Sequence, residues 1–286
     1  MVVSDLHVHS LASCDSDASI WEMCERACEL GIEAIAFTEH LEFRPKDLCY
    51  RKYDYGRAIS VCEEARTHYE GTLKILFGVE VTYWSDIEDE IRAYLSRYPF
   101  DLVIGSVHDA PPIDFWSPAR ADYVSDNPDV AREAMVLYFD QVRRLALSGL
   151  FDIVGHLGIY KRYIQTWPDP IDDKEIQPAL IAALDAIVKN CRLELNAATL
   201  HRPIPLPLPS VQVLRIYKEM GGLTPTYGSD AHSPSRVGKD LNIASELVRE
   251  AGFDEFATWR DVIRPTGPLS TRVAASAGGS ESHSLT

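Results

Sequence analysis

Two features of the sequence predict an α/β fold with a parallel sheet: seven short apolar runs alternate with segments of helical periodicity, and nearly every run stops at a metal-ligand residue type. The runs occupy 2–9, 33–38, 74–81, 101–108, 152–156, 192–196 and 223–229. Between the first two, segment 19–30 places Ile20, Cys24 and Cys28 at i, i+4 and i+8, a single helical stripe that assigns both cysteines to the core. Segments 86–98, 128–148, 175–190, 210–220 and 240–251 read as further helices. Several helix ends are followed by glycine (Gly31, Gly71, Gly149, Gly221, Gly252), where a left-handed C-terminal cap is wanted. Pro128 follows Asp126-Asn127, a position where a first-turn proline is tolerated. Periodicity alone leaves the sheet open or closed into a barrel.

Composition narrows the class. Hydrophobic residues make up 46 % of the 286 and charged residues 25 %, near the average of soluble domains. No window reaches the ~18 consecutive apolar residues of a membrane helix, and the N-terminus has no basic start leading into a long apolar run. The six scattered cysteines suggest no disulfide framework, so the cytoplasm is the expected location. The formal charge of −15 argues against a nucleic-acid-binding surface. Residues 265–286, with five Ser and no aromatic residue, read as a disordered tail; residues 1–264 have the size of one α/β barrel domain.

The chemistry lies at the ends of the runs. The first ends in His7-Val8-His9 and the second leads to Glu39-His40; the third contains Glu80; the fourth and fifth end in His108 and His156; the seventh leads into Asp230-Ala231-His232. The C-terminal ends of parallel strands are where α/β folds build their sites. Residues at i and i+2 of a strand share a face, so His7 and His9 can converge on one ion, as can Asp230 and His232 if the strand continues. Six of the nine histidines occupy such ends. Buried together without a metal, their ring nitrogens would need many partners. Imidazole with carboxylate suits zinc, iron or manganese.

These motifs, with Thr38-Glu39-His40, Gly78-Val79-Glu80, Gly105-Ser106-Val107-His108, Gly155-His156 and Ser229-Asp230-Ala231-His232 in order, resemble those of the PHP (polymerase and histidinol phosphatase) superfamily. The stretch from Phe100 to His108 and Leu193-Glu194-Leu195-Asn196 are similar to its histidinol-phosphatase branch. The resemblance runs from about residue 4 to about residue 250. It implies a distorted (β/α)7 TIM-like barrel with a metal site at the C-terminal strand ends. It implies three divalent ions (zinc, manganese or iron): one held by His7, His9, Glu80 and Asp230, one by Glu80, His108 and His156, and one by Asp15, His40 and His232. Asp17 lies near Asp15 on the same loop; either could instead cap the helix beginning near Ser19, a role that suits Asp17 better. Glu39 is expected to support ligands or form a salt bridge.

The implied activity is hydrolysis of a small phosphate monoester, histidinol phosphate in histidine biosynthesis, by metal-activated hydroxide bridging the first two ions. The alternative within the family is a nucleotide or another small phosphate ester. Arg162 and Arg202, on the loops after the fifth and sixth runs, are candidates for binding the phosphate. Two departures from the branch leave the leaving-group pocket open: Gly158 stands where Asp is expected, and Ala197-Ala198-Thr199-Leu200-His201 follows Asn196. Loops 43–55 and 109–127, with Tyr50, Tyr53, Tyr55, Asp114, Phe115 and Trp116, either form that pocket or pack on the rim.

Overall fold

The computed structural model describes residues 3–110, 113–114, 127–162, 168–201 and 206–263. The tail at 265–286, Arg202, Phe115, Trp116 and the Asp114 side chain lie outside the described residues. Seven strands form one parallel sheet in the order β1 (Ser4–Val8), β2 (Ala34–Leu41), β3 (Lys74–Thr82), β4 (Leu102–Ser106), β7 (Ile153–Val154), β8 (Arg192–Asn196), β9 (Thr226–Gly228). A separate short hairpin, β5 (Asp109–Ala110) and β6 (Ile113–Asp114), follows β4. All seven expected runs are therefore strands.

The sheet curls back on itself. The chain leaving β9 pairs with β1 through a parallel bridge between Val8 and Ala231, with Asp230 N–H donating to His7 O at 2.8 Å and His9 N–H to Ala231 O at 2.9 Å. The buried Asp5 carboxylate spans the same seam, accepting Ser229 N–H and Gly238 N–H, each at 2.9 Å. The sheet is thus a nearly closed barrel.

Register explains the two cores. Ala36, Leu76 and Ile104 lie two or four residues before His40, Glu80 and Ser106, on the face turned into the barrel. With Leu6, Leu102 and Ile153 they form an apolar plug covered by Trp259, Val262 and Ile263. The larger core lies between the sheet's other face and the helices, so the strands are apolar on both sides. β1 carries an extra residue: Asp5 pairs with Ile35 but Val8 with Phe37. This irregularity lets Leu6 join the plug while Val8, two residues on, packs in the outer layer.

The helices at Ile20–Glu29, Glu88–Arg97, Pro128–Leu147, Gln177–Asn190, Val211–Glu219 and Leu241–Glu250 match those read from periodicity. Gly31 and Gly221 end their helices at φ of 68° and 91°, the left-handed caps expected there. Three features differ from expectation. A further helix spans Tyr55–His68; its buried stripe is Ala58, Cys62 and Ala65, residues too small to give a strong apolar period. The first helix is capped by Ser19, not by an aspartate: Ser19 Oγ accepts Glu22 N–H while the Glu22 carboxylate accepts Ser19 N–H. Cys14 and Cys49, 35 residues apart, form a disulfide between the loops after β1 and β2, a pairing that spacing alone could not reveal. Among the described residues no helix is long and apolar enough to cross a membrane.

Candidate metal centre

The C-terminal strand ends deliver nine donor-bearing side chains to one cavity. Glu80, on β3, sits at its centre and is 1 % exposed. Its Oε2 lies 3.3 Å from His7 Nε2, 3.6 Å from His9 Nε2 and 3.1 Å from His40 Nδ1. Its Oε1 lies 2.7 Å from His156 Nε2 and 3.3 Å from His108 Nε2. Asp230 Oδ1 is 3.5 Å from His9 Nε2 and 4.0 Å from His7 Nε2. Asp15 Oδ2 is 3.3 Å from His40 Nε2 and 3.1 Å from His232 Nε2, whereas Asp17 belongs to none of the donor groups among the described residues. The His9 ring stacks between those of His40 and His232, with centroids 4.4 and 4.3 Å away.

These separations fit ions better than hydrogen bonds. Two donors each ~2.0–2.1 Å from a tetrahedral ion lie about 3.3 Å apart, and most of the distances cluster there. Several donors are moreover orphaned: His7 Nε2, both His9 nitrogens, His40 Nδ1 and Glu80 Oε2 are buried without a hydrogen-bond partner among the described residues. Buried polar atoms ordinarily find partners, so a concentration of unpaired ones around one cavity fits cations. His7, His9 and Asp230 form one group that could hold an ion, His7, Glu80 and His156 a second, and His9, His40 and His232 a third.

Neighbouring groups hold the imidazoles in donor form. His7 Nδ1–H donates to Glu194 Oε1 at 2.8 Å, which turns the Nε2 lone pair into the cavity. Thr82 Oγ1 donates to Glu42 Oε1 at 2.7 Å and so accepts from His108 Nδ1–H at 2.8 Å, leaving His108 Nε2 likewise a lone pair. His232 Nδ1–H points at Asp230 O, 3.0 Å away. Glu194 Oε2 also accepts His156 N–H at 2.6 Å, steadying a residue at φ of 25°. Asp230 is left-handed too, at φ of 53°, so the strand does not continue to it. Asp230 then reaches His7 and His9 while His232 reaches Asp15, rather than both sharing one strand face. Such backbone strain in non-glycine residues recurs at functional sites. Glu39 forms no part of the cluster; it accepts Ser10 N–H at 2.9 Å and Ser10 Oγ–H at 2.6 Å, fixing the chain just after His9.

Electrostatics agree with that arrangement. Burial, then His40 and His232, lowers His9 to about 3, and burial lowers His108 to about 4, so both are neutral imidazoles near pH 7. Burial alone would depress His7, but the carboxylates of Glu194, Glu80 and Asp230 outweigh it and hold it well above its ordinary value, so they favour a positive charge there, which a proton supplies in the metal-free site and a cation bound at Nε2 would supply in its place. Burial alone would raise Glu80 and Asp230; the surrounding histidines hold both well below the usual carboxylate range.

Beyond the donors, the cavity has two lobes sharing Asp15, His40 and His108. The first, about 370 Å³, is lined by Arg162 and Arg236 beside Glu80 and Asp230; the second, about 360 Å³, by Glu42, Lys46, Asp47, Leu48 and Asp109. Arg162 lines the cavity, and so does Arg236, held by Ala198 O at 2.9 Å, a cation the sequence did not single out. Glu194 was also missed as a site residue. Its signal was present: β8 is the one strand whose end carries no ligand type, and Glu194 precedes Asn196 there. Tyr53 and Tyr55 pack against Phe100 and the core between sheet and helices, and neither lines the two lobes.

Comparison with known proteins gives concordant matches. Residues 5–198 match the family model described as the PHP domain. The chain is 28 % identical over 263 residues to a histidinol-phosphatase of Lactococcus lactis, covering 89 % of this chain and 93 % of that one. It is 27 % identical over 255 residues to a probable histidinol-phosphatase of Deinococcus radiodurans, covering 87 % and 93 %. The crystal structure of the Lactococcus lactis histidinol phosphate phosphatase, complexed with zinc, L-histidinol and phosphate, superposes with a TM-score of 0.77 at 24 % identity, covering 92 % of this chain and 99 % of that one.

Proposed function

The chain belongs to the PHP domain family, and from that premise we propose that it is a metal-dependent histidinol-phosphatase, converting L-histidinol phosphate and water to L-histidinol and phosphate. The observation that carries the reading is the set of buried, unpartnered donor atoms around Glu80, spaced as ligands of divalent ions. The names of the relatives, similar over nearly their whole length, support the substrate.

In this reading three ions are held as the motifs imply: His7, His9, Glu80 and Asp230; Glu80, His108 and His156; Asp15, His40 and His232. Zinc, manganese and iron all suit these donors, and zinc accompanies the Lactococcus structure. Bound there, divalent ions would supply a nucleophile from water at neutral pH and polarise the phosphoryl oxygens. The protein's own part is to position. Glu194 and Thr82 fix the tautomers and aim of His7 and His108. Arg162 presents a guanidinium to the non-bridging phosphate oxygens, with Arg202 as its proposed companion. Histidine biosynthesis is the corresponding pathway, and the cytoplasm the corresponding location, where the Cys14–Cys49 pair would stand as thiols and the bridge would form on oxidation.

A panel of histidinol phosphate, nucleoside monophosphates and sugar phosphates, assayed after reconstitution with zinc, manganese or iron, tests the proposal. Histidinol phosphate should have the highest kcat/KM; a nucleotide or sugar phosphate outrunning it would point to the other phosphoesterase chemistry of the family. Arg162→Ala should lower kcat/KM by about 10- to 100-fold with metal content retained. Unchanged kinetics would remove Arg162 from phosphate binding.

A further inference from the structure

Two of the six cysteines stand apart from the other four. Cys24, Cys28, Cys62 and Cys191 pack as thiols in the core between sheet and helices, whereas Cys14 and Cys49 join beside the candidate metal centre. Both loops linked by that bond touch the donor cluster. Cys14 immediately precedes Asp15, whose Oδ2 approaches His40 and His232. Ser13, on its other side, accepts His40 N–H on Oγ at 3.3 Å and donates Oγ–H to Asp15 Oδ1 at 2.9 Å. Cys49 belongs to the loop after β2 that roofs the second lobe, which it lines with Asp47 and Leu48. That roof is held to the end of β2 by Arg51 N–H, which donates to Glu42 O at 3.4 Å. The two sulfurs and a carboxylate oxygen of Asp15 lie within 4.8 Å of one another. A covalent tie one residue from Asp15 therefore bears directly on where its carboxylate points. The sulfurs differ in access: Cys14 is half-buried and Cys49 only 5 % exposed. Oxidation follows exposure, so Cys14 is the sulfur an oxidant meets first and Cys49 the one placed to resolve it.

We propose that Cys14 and Cys49 form a reversible thiol–disulfide switch acting on Asp15. The dithiol form, the resting form in a reducing compartment, leaves the Asp15 loop untied. The disulfide fixes the Asp15 carboxylate against His40 and His232. The oxidant is a small disulfide of the glutathione class. Cys14 Sγ attacks one of its sulfurs, the small S–S bond breaks, and one small thiol leaves. Cys49 Sγ then attacks Cys14 Sγ in the mixed disulfide, forming the Cys14–Cys49 bond and expelling the second small thiol. Two cysteine thiols are oxidised, one small disulfide is reduced, and the two cysteine protons end on the departing thiols. The inference rests on the metal-centre reading above, because its consequence is tighter retention of the ion at Asp15, His40 and His232.

The test loads wild type with zinc in its disulfide and dithiol forms and challenges both with a graded chelator, beside Cys14→Ser/Cys49→Ser. The disulfide form should hold one ion per chain about 10-fold more tightly than the dithiol form. The double variant should match the dithiol form, and glutathione disulfide should restore tight retention to the dithiol wild type alone. Equal retention in the two forms overturns the proposal, as does tighter retention by the dithiol, which would make the thiols themselves donors. An equal shift in every bound ion overturns it too, since that is the mark of general stabilisation. Should the double variant fail to fold, the two wild-type forms decide by themselves. Single variants check the order of attack: with glutathione disulfide, Cys49→Ser should accumulate the mixed disulfide at Cys14, and Cys14→Ser should gain little at Cys49. The reverse pattern overturns the role of Cys14. Wild type that holds no ion in either form refutes the metal-centre reading. Amide exchange at residues 13–16 then decides the tether: it should be slower in the disulfide form, and equal exchange overturns the switch.

Discussion

His7 Nε2 faces the cavity because Nδ1–H is taken by Glu194, a residue 187 positions away in the chain. Glu194 also accepts from the His156 backbone and, at 3.2 Å, from Asn196 Nδ2, so one buried carboxylate steadies two candidate ligands. Glu194→Gln should weaken metal retention by about 10- to 100-fold, measured by competition with a chelator, and saturating metal should restore most of the activity. Unaltered retention would show that His7 is oriented without it. Asp5 shows the other face of burial. Its carboxyl is raised to about 6, chiefly by desolvation, against an ordinary 3.8. Protonation of the native state is therefore favoured, so this stabilising contribution is fully present below about pH 4 and is lost as pH rises through 6. The loss should amount to roughly 3 kcal/mol, since each tenfold difference in proton affinity between the folded and unfolded chain is worth ~1.4 kcal/mol. Denaturant melts of wild type and Asp5→Asn across pH 4–7 should show the difference in stability, wild type minus variant, falling by about that amount.

Individual elements are placed by close contacts that only certain residues permit. Gly228 ends β9 directly against the Glu194 carboxylate and the His7 side chain; a Cβ there would collide with both. Gly228→Ala should destabilise the fold by about 1–3 kcal/mol and loosen metal binding, read by thermal melts with and without zinc. At the roof of the cavity, the Cys14–Cys49 link closes a loop of 35 residues, which a chain-entropy argument values at roughly 4 kcal/mol. Cys14→Ser/Cys49→Ser should lower Tm accordingly, and a reducing agent should lower that of the wild type but not of the variant. The element the sequence left undrawn, Tyr55–His68, carries only Ala58, Cys62 and Ala65 on its buried face. Its helicity depends on packing against the sheet, which a one-dimensional pattern of small residues does not announce.

For the whole molecule, the donor cluster couples metal to folding. Glu80, His7, His9 and His156 are each 2 % exposed or less, a group of polar side chains whose burial a bound cation would compensate. Removing metal with a chelator should therefore lower Tm, and restoring free metal to ~1,000 times its dissociation constant should return about 4 kcal/mol per site. An identical melt for both forms would refute a structural contribution. The net charge of −15 describes the outside of this molecule and does not govern the arginine-lined lobe within. By itself the sequence determined the α/β class and the seven strands and singled out the candidate donors, because strand and helix periods and short motifs are local properties. Tertiary structure alone decided the curling of the sheet into a nearly closed barrel, the pairing of Cys14 with Cys49, the support of His7 by Glu194 and the division of the cavity into two lobes. Each of these joins residues far apart in the chain, and it is the folding of the sheet that brings such residues within reach of one another.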